Sequence, residues 1–426
     1  MAEALEQLQR AAFGYFMHEA NPANGLVPDN TRLDSPCSIT AVGLGLAAYV
    51  VAVERGCATR ADAANRVRTT LRFFRDSRQG PEPDSTGHRG FCYHFLDMKT
   101  GRRVWRSELS TVDSTYLLAG ALAAGTFFDH DTAVEREIRE TAELLYLRAD
   151  WEWARNDGLL VSHGWRPERG FIRHRWDGYN EALLLYILGL GSPTHPLPPE
   201  SYAEWTRTYR WKRLYGIEYL HARSLFQHQL SHTWIDTRGI ADTFMRERDI
   251  DYFENTRRAT YVQREYAKRG TRGFRGYGAD CWGLTATEGP GPARFRVDGV
   301  MRRFWGYRAR GVPDGPDDGT IAPWAAIASL PFAPEIVLRA IAFFQREYPQ
   351  LMDRYGLTCA FNPTFSRGGR RGIGWISKVY FGLDQGAVVC MIENHLTGLL
   401  WDIMRGCPYI ETGLRRAGFA GGWLDR

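Results

Sequence analysis

Two kinds of helical segment alternate along this chain, and the alternation leaves few ways to fold it. Residues 2–18, 59–76, 132–148, 200–213, 241–268 and 334–348 carry apolar side chains at helical spacing on one face. Residues 37–54, 113–128, 180–190, 221–235, 319–330 and 384–403 are apolar, or largely so, all round. A helix apolar on every face must be buried, and an amphipathic one covers an apolar neighbour. The simplest arrangement sets the buried kind as an inner ring inside an outer ring of the amphipathic kind, so that each layer closes the other. The expected fold is therefore all-α, an (α/α)6 barrel. No stretch of the 426 residues reads as a linker, a low-complexity tract or a sequence repeat, so 1–426 is expected to be one domain.

The connections are unequal. Links from a buried helix to the next amphipathic one are short, such as 55–58 and 331–333. Links the other way, 77–112, 149–179, 269–318 and 349–383, are long, and long connections in a compact domain are usually functional. All of these end where buried helices begin, which puts the expected site at that end of the barrel. The Gly-rich 269–278 and the Pro/Gly/Asp-rich 311–319 read as loops that could fold as small strands over the cavity.

Several buried helices begin with an acid. Asp113, Glu181, the pair Asp317 and Asp318, and Asp384 all sit at such starts. For any one Asp, helix capping is the better explanation. Glu is a poor N-cap, so Glu181 fits capping least, and the polar, aromatic turn Trp176-Asp177-Gly178-Tyr179-Asn180 leads into it. Paired carboxylates in an aromatic cavity suit glycoside hydrolysis, where one protonates the leaving oxygen and the other activates water or attacks the sugar. Glu181, beside an apolar helix and near Asp177, is expected to have a raised pKa, as an acid needs. Asp384 is expected to be kept ionised by the helix dipole, as a base needs.

Other constellations are weaker. His228 and His232 share a helix face, but no adjacent Glu completes a zinc motif. With Gln229 and Trp234 they are expected to bond sugar hydroxyls, and no metal is expected. Tyr277, Trp282, Trp305, Trp324 and Trp375 are stacking candidates among 14 Trp. Gly43 and Gly45 fall inside a helix and read as packing positions, not a dinucleotide fingerprint. No G-x-S-x-G marks a serine nucleophile. The net charge of +5 comes from scattered Arg, unlike the clustered face of a nucleic-acid binder. The seven cysteines include no C-x-x-C and read as reduced thiols, with Cys57 and Cys390 in apolar runs. No apolar run spans a bilayer, and the N-terminus reads as a helix start and not a signal peptide, so a cytoplasmic protein with no membrane partner is expected.

The motifs Asn21-Pro22-Ala23-Asn24-Gly25, Ser110-Thr111-Val112-Asp113, Tyr179-Asn180-Glu181-Ala182, Gln229-Leu-Ser-His-Thr-Trp234, Tyr277-Gly-Ala-Asp-Cys-Trp282, Asp318-Gly-Thr-Ile-Ala-Pro323 and Leu383-Asp-Gln-Gly386 follow one another along the chain. Jointly they resemble the glucoamylase-like domain family, which includes the bacterial endo-β-1,2-glucanases of glycoside hydrolase family 144 and related transglycosylase domains of cyclic β-1,2-glucan synthases. The resemblance implies an (α/α)6 barrel and inverting hydrolysis of a β-1,2-glucan oligosaccharide or polysaccharide without metal or organic cofactor. It assigns Glu181 as general acid and Asp384 as general base, with Asp113 binding or assisting. Trp176, Asp177, Tyr179 and Asn180 of the turn, and Asp280, Asp318, Tyr380 and Glu393, join the aromatic and histidine candidates above as expected sugar contacts. Trp324 departs from the family pattern, which favours a smaller residue there. A retaining transglycosylase or exo-acting sophorohydrolase, and a non-catalytic carbohydrate-binding barrel, are the alternatives.

Overall fold

The computed structural model describes residues 2–366 and 374–425, and the chain they form is predominantly helical. Helices Ala2–His18, Arg60–Asp76, Ala133–Leu147 and Pro334–Glu347 lie where amphipathic segments were expected, and Ile39–Glu54, Thr111–Phe127, Leu183–Gly191 and Gly382–Leu396 where buried ones were. Thr59 and Thr132 cap their helices by accepting the N–H of Asp62 and of Glu135, which explains why these segments start sharply. One apolar cluster, running from Leu5 to Leu424, draws on both kinds of helix.

The buried helices are neighbours in chain order. Ile39–Glu54 packs against both Thr111–Phe127 and Gly382–Leu396, and Thr111–Phe127 also meets Leu183–Gly191. The N–H of Leu184 donates to Ser231 Oγ at 3.1 Å. Gln229 Nε2 donates to Ala325 O at 2.7 Å, and Pro323–Ile327 packs on Gly382–Leu396. Amphipathic Ala2–His18 lies against Gly382–Leu396, and Arg60–Asp76 against Ala133–Leu147. Gly43 and Gly120 are the points of closest approach. A Cβ on Gly43 would collide with the carbonyl of Tyr116, and one on Gly120 with the carbonyl of Gly43, so two backbones touch directly.

Four expected segments are cut shorter. The 200–213 helix ends at Arg207, and Trp211–Leu214 instead pairs antiparallel with Ile217–Leu220 around Tyr215 and Gly216, both at positive φ. That two-residue turn suits the twist of a hairpin, and it overrides a weak helical pattern. Residues 221–235 yield only Phe226–Gln229 and the 3-10 turn Leu230–Thr233, and 319–330 only Pro323–Ile327. The 241–268 segment splits into Thr243–Arg246 and Tyr252–Arg269, capped by Asp242 and Asp251. Gly398, at φ 78°, ends one helix and starts Leu399–Arg405. The helix Pro408–Arg416 was not foreseen.

The expectation of an all-α chain is corrected in the loops, which form short antiparallel pairs. Neither 269–278 nor 311–319 contains a strand; the hairpin lies between them, Ala293–Val297 with Val300–Phe304, around Asp298-Gly299. Cys37–Ser38 pairs with Phe95–Leu96, and Leu109–Ser110 with Gly164–Arg166, each running directly into a buried helix. These pairs fix the starts of Ile39–Glu54 and Thr111–Phe127, the end where the site lies. No described helix is long and apolar enough to cross a membrane. All seven cysteines are free thiols, and all but Cys57 are buried.

Candidate active site

Strand Leu109–Ser110 delivers Asp113 into the first turn of its helix. Asp113 accepts hydrogen bonds from Ser110 Oγ at 2.5 Å and from Thr40 Oγ1 at 2.6 Å. Its Oδ2 lies 3.7 Å from His94 Nε2. The other ring nitrogen, Nδ1, is 2.9 Å from Glu108 Oε1, and the ring stacks on Phe95 at 4.0 Å and 13°. Burial opposes the charge on His94, but Asp113 and Glu108 outweigh it and push the imidazole up to about 9. Burial likewise opposes the charge on Glu108, yet the bond from His94 holds that carboxyl down at about 2. The three form a charged row, carboxylate–imidazolium–carboxylate.

Glu181 lies two residues before its helix, which begins at Leu183, and so stands on the turn itself. Its backbone carbonyl is held by Tyr116 Oη at 2.8 Å and Ser231 Oγ at 2.9 Å. Its carboxylate accepts a hydrogen bond from Gln227 Nε2 at 3.1 Å. Burial raises its pKa, and the neighbouring charge raising it further is Asp113, not Asp177 as expected.

Asp384 occupies the first turn of Gly382–Leu396 and is buried. No described donor reaches its Oδ2. Burial pushes its pKa well above the ordinary value, and the charge of Asp29 adds to this. The expectation that the dipole keeps it ionised is overturned for a reason of scale. A helix terminus contributes about 0.3–1 kcal/mol, whereas full burial shifts a carboxyl by up to roughly 3–5 pKa units. Asp29 itself is raised, by burial first, and accepts from Asn30 Nδ2 at 2.8 Å.

These acids line two adjoining compartments. One, of about 440 Å³, holds Glu181, Asp113 and Glu108, with Trp176 and Trp324 in its walls. The other, of about 520 Å³, holds Asp384 and Asp29. His94, Asp113, Tyr307 and Leu383 line both, so the cleft is continuous at Asp113. Trp176 is stacked on His163 at 3.8 Å and donates from Nε1 to Thr111 Oγ1.

Most of the other expected sugar contacts lie elsewhere. His228, Gln229, His232 and Trp234 are buried. Gln229 spans to Ala325 and Ser329, His232 sits between Thr237 and Thr256, and His228 Nε2 meets the backbone of Ala222. Trp282 is core. Glu393, on the same helix as Asp384 but nine residues further on, pairs with Arg55 and Gln9 instead. Nine residues are about 13 Å along a helix, far from the acid at its start. Asp318 is fully buried against Arg310. Tyr277 donates to Asp317, Tyr380 to the carbonyl of Gly356, and Asp280 pairs with Arg339. Trp375 sits in a short strand paired with Phe361–Asn362 and packs near Phe381, and Trp305 lies under Arg303 and Arg308. In the turn, Tyr179 stacks on Tyr252, Asp177 is exposed, and Asn180 bonds the turn's own backbone at Asp177 O and Ala182 N.

Sequence reasoning missed Asp29, His94, Glu108 and Tyr307. Asp29 and His94 come beside the strands that precede buried helices only through the pairs Pro28–Cys37 and Tyr93–Leu109, which leave no local signal in the sequence.

Acids gathered in an aromatic-walled cleft at the starts of buried helices mark a candidate active site in a predominantly helical protein. The chain belongs to the Glycoamylase family of glucoamylase-like proteins, whose model matches residues 173–408. It is similar to a Bacteroides uniformis structure carrying the glucoamylase name, at 30% identity and TM-score 0.87 over 100% of this chain and 99% of that one. It is also similar to an endo-β-1,2-glucanase from Chitinophaga pinensis, solved with sophorotriose and glucose, at 25% identity and TM-score 0.86 over 99% of each chain. An exo β-1,2-glucooligosaccharide sophorohydrolase from Parabacteroides distasonis is 28% identical over 97% of this chain, which spans only 57% of that protein's length.

Proposed function

We propose that residues 1–426 form one (α/α)6-barrel domain that hydrolyses β-1,2-linked glucan with inversion, using Glu181 as general acid and Asp384 as general base. The barrel reading is supported by the sequential contacts of the buried helices, from Ile39–Glu54 round to Gly382–Leu396 and back. The observation that carries the chemistry is the continuous cleft with Glu181 in one compartment, Asp384 in the next and Asp113 in both. The substrate class rests on the relatives, two of which are named for β-1,2-glucans.

In this reading burial, which raises the pKa of Glu181, favours the protonated form that a proton donor needs. It gives its proton to the glycosidic oxygen as the C–O bond breaks. Water attacks the anomeric carbon from the opposite face and loses a proton to Asp384. A raised pKa makes Asp384 a stronger base once it is ionised. Asp113, its charge met by two hydroxyls and His94, binds sugar hydroxyls between the two acids. Trp176 supplies an apolar wall.

The test is a panel of linkage-defined glucans with anomer-resolved NMR of the products. β-1,2-Glucan should be cleaved with the α-anomer appearing first; a first-formed β-anomer would show retention and overturn the assignment of Asp384 as base. The sophorohydrolase relative favours a second reading, exo action, which would release one disaccharide from the earliest time point.

A further inference from the structure

The 104–107 turn at the mouth of the Asp384 compartment is built in an unusual way. The N–H of Ser107 donates to the carbonyl of Val104 at 3.0 Å, closing a four-residue turn. Its two central residues, Trp105 and Arg106, have φ of 56° and 50°. Positive φ at both centres is the signature of a type I′ turn, which Asn and Gly fill readily. A bulky Trp there is an outlier, and such outliers concentrate at ligand clamps.

The side chain is equally out of place as packing. Trp105 is 68% exposed, the most exposed Trp of the described residues that are large and hydrophobic. It nevertheless lines the compartment that holds Asp384 and Asp29. Its ring leans on Phe95 at 5.2 Å and 54°, and Phe95 in turn stacks on His94, the shared wall of the cleft. An aromatic path therefore runs from the mouth to the carboxylates, and its outer end is open indole.

We propose that Trp105 is a platform for a glucosyl unit lying beyond the carboxylates, a distal subsite that favours longer gluco-oligosaccharides. The apolar C–H face of a pyranose packs on an exposed indole, and the turn fixes the indole's position at the cost of an unfavourable backbone. This rests on the hydrolase reading above, and the experiment separates the two.

Trp105→Asn suits the left-handed backbone, so the variant should fold with a Tm no lower than that of the parent. Wild type and Trp105→Asn are compared on β-1,2-gluco-oligosaccharides of increasing length. The ratio of kcat/KM for the longest over the shortest cleaved chain should fall at least tenfold in the variant; an unchanged ratio overturns the proposal. Calorimetry of the longest oligosaccharide on Glu181→Gln, with and without Trp105→Asn, gives a reading independent of turnover. Affinity at least tenfold weaker in the double variant supports the platform, and equal affinity overturns it. Should wild type bind but not cleave these chains, the hydrolase reading falls while the binding comparison still decides the fate of Trp105.

Discussion

Thr40 and Asp113 join the first turns of two neighbouring buried helices through a hydrogen bond of 2.6 Å. Asp113 also touches the His94–Glu108 pair and both compartments of the cleft.

Glu181→Gln keeps the bulk and the bond to Gln227 but removes the transferable proton. Activity on β-1,2-glucan should fall by about 10²–10⁴, the usual worth of general acid catalysis. Circular dichroism and Tm should stay close to wild type. Activity within a factor of a few of wild type would remove Glu181 from the proton-donor role.

Asp29→Asn should move the acidic limb of the pH–kcat/KM profile to lower pH. The charge of Asp29 is one of the two causes that raise Asp384, the other being burial. Removing it leaves a base that ionises more readily. A limb that stays put, or moves to higher pH, would separate Asp29 from the base.

Asp384→Asn should abolish turnover and raise stability at neutral pH. Its folded pKa lies above the unfolded value, so the native state holds the proton more tightly. The wild type is therefore most favoured below the unfolded pKa and loses stability as pH rises towards the folded one. The isosteric amide escapes this loss, so the variant should be the more stable at neutral pH. Thermal melts at pH 5 and pH 8 check it, since the advantage of the variant should grow with pH.

His94→Gln should lower stability most in mildly acidic solution. The raised imidazole, shifted from 6.5 to about 9, contributes fully below the unfolded value and loses its contribution as pH passes about 9. The lowered Glu108, shifted from 4.5 to about 2, contributes above its unfolded value and loses it as pH falls towards about 2. The Tm difference between wild type and variant should thus be largest near pH 5–6 and shrink above pH 9. A difference independent of pH would mean that His94 serves only as packing.

The acids at helix starts were legible because a buried helix beginning with a carboxylate is conspicuous in one dimension, as at Asp113 and Asp384. Their partners were not. His94 reaches Asp113 from a bend across 19 positions, and Asp29 acts on Asp384 from the other end of the chain; no local period announces either. Glu393 was expected at the site, yet it lies on the same helix as Asp384 but too many turns away. For Trp234 and Trp282 the residue type was ambiguous, since a sugar wall and a core plug have the same composition. The short segments 226–233 and 323–327 were over-read because their apolar neighbours continue the pattern in coil.

The contact between Gly43 and Gly120 reaches beyond packing. With carbonyl against α-carbon, any residue larger than glycine at either position would push Ile39–Glu54 and Thr111–Phe127 apart, and with them Thr40 and Asp113. In the proposed reading, the fit to differently shaped glucan chains is then set at the rim, by segments such as 104–107. A glucan hydrolase so divided would change its choice of chain by rewriting a turn and leave the floor that bears its acids as it is.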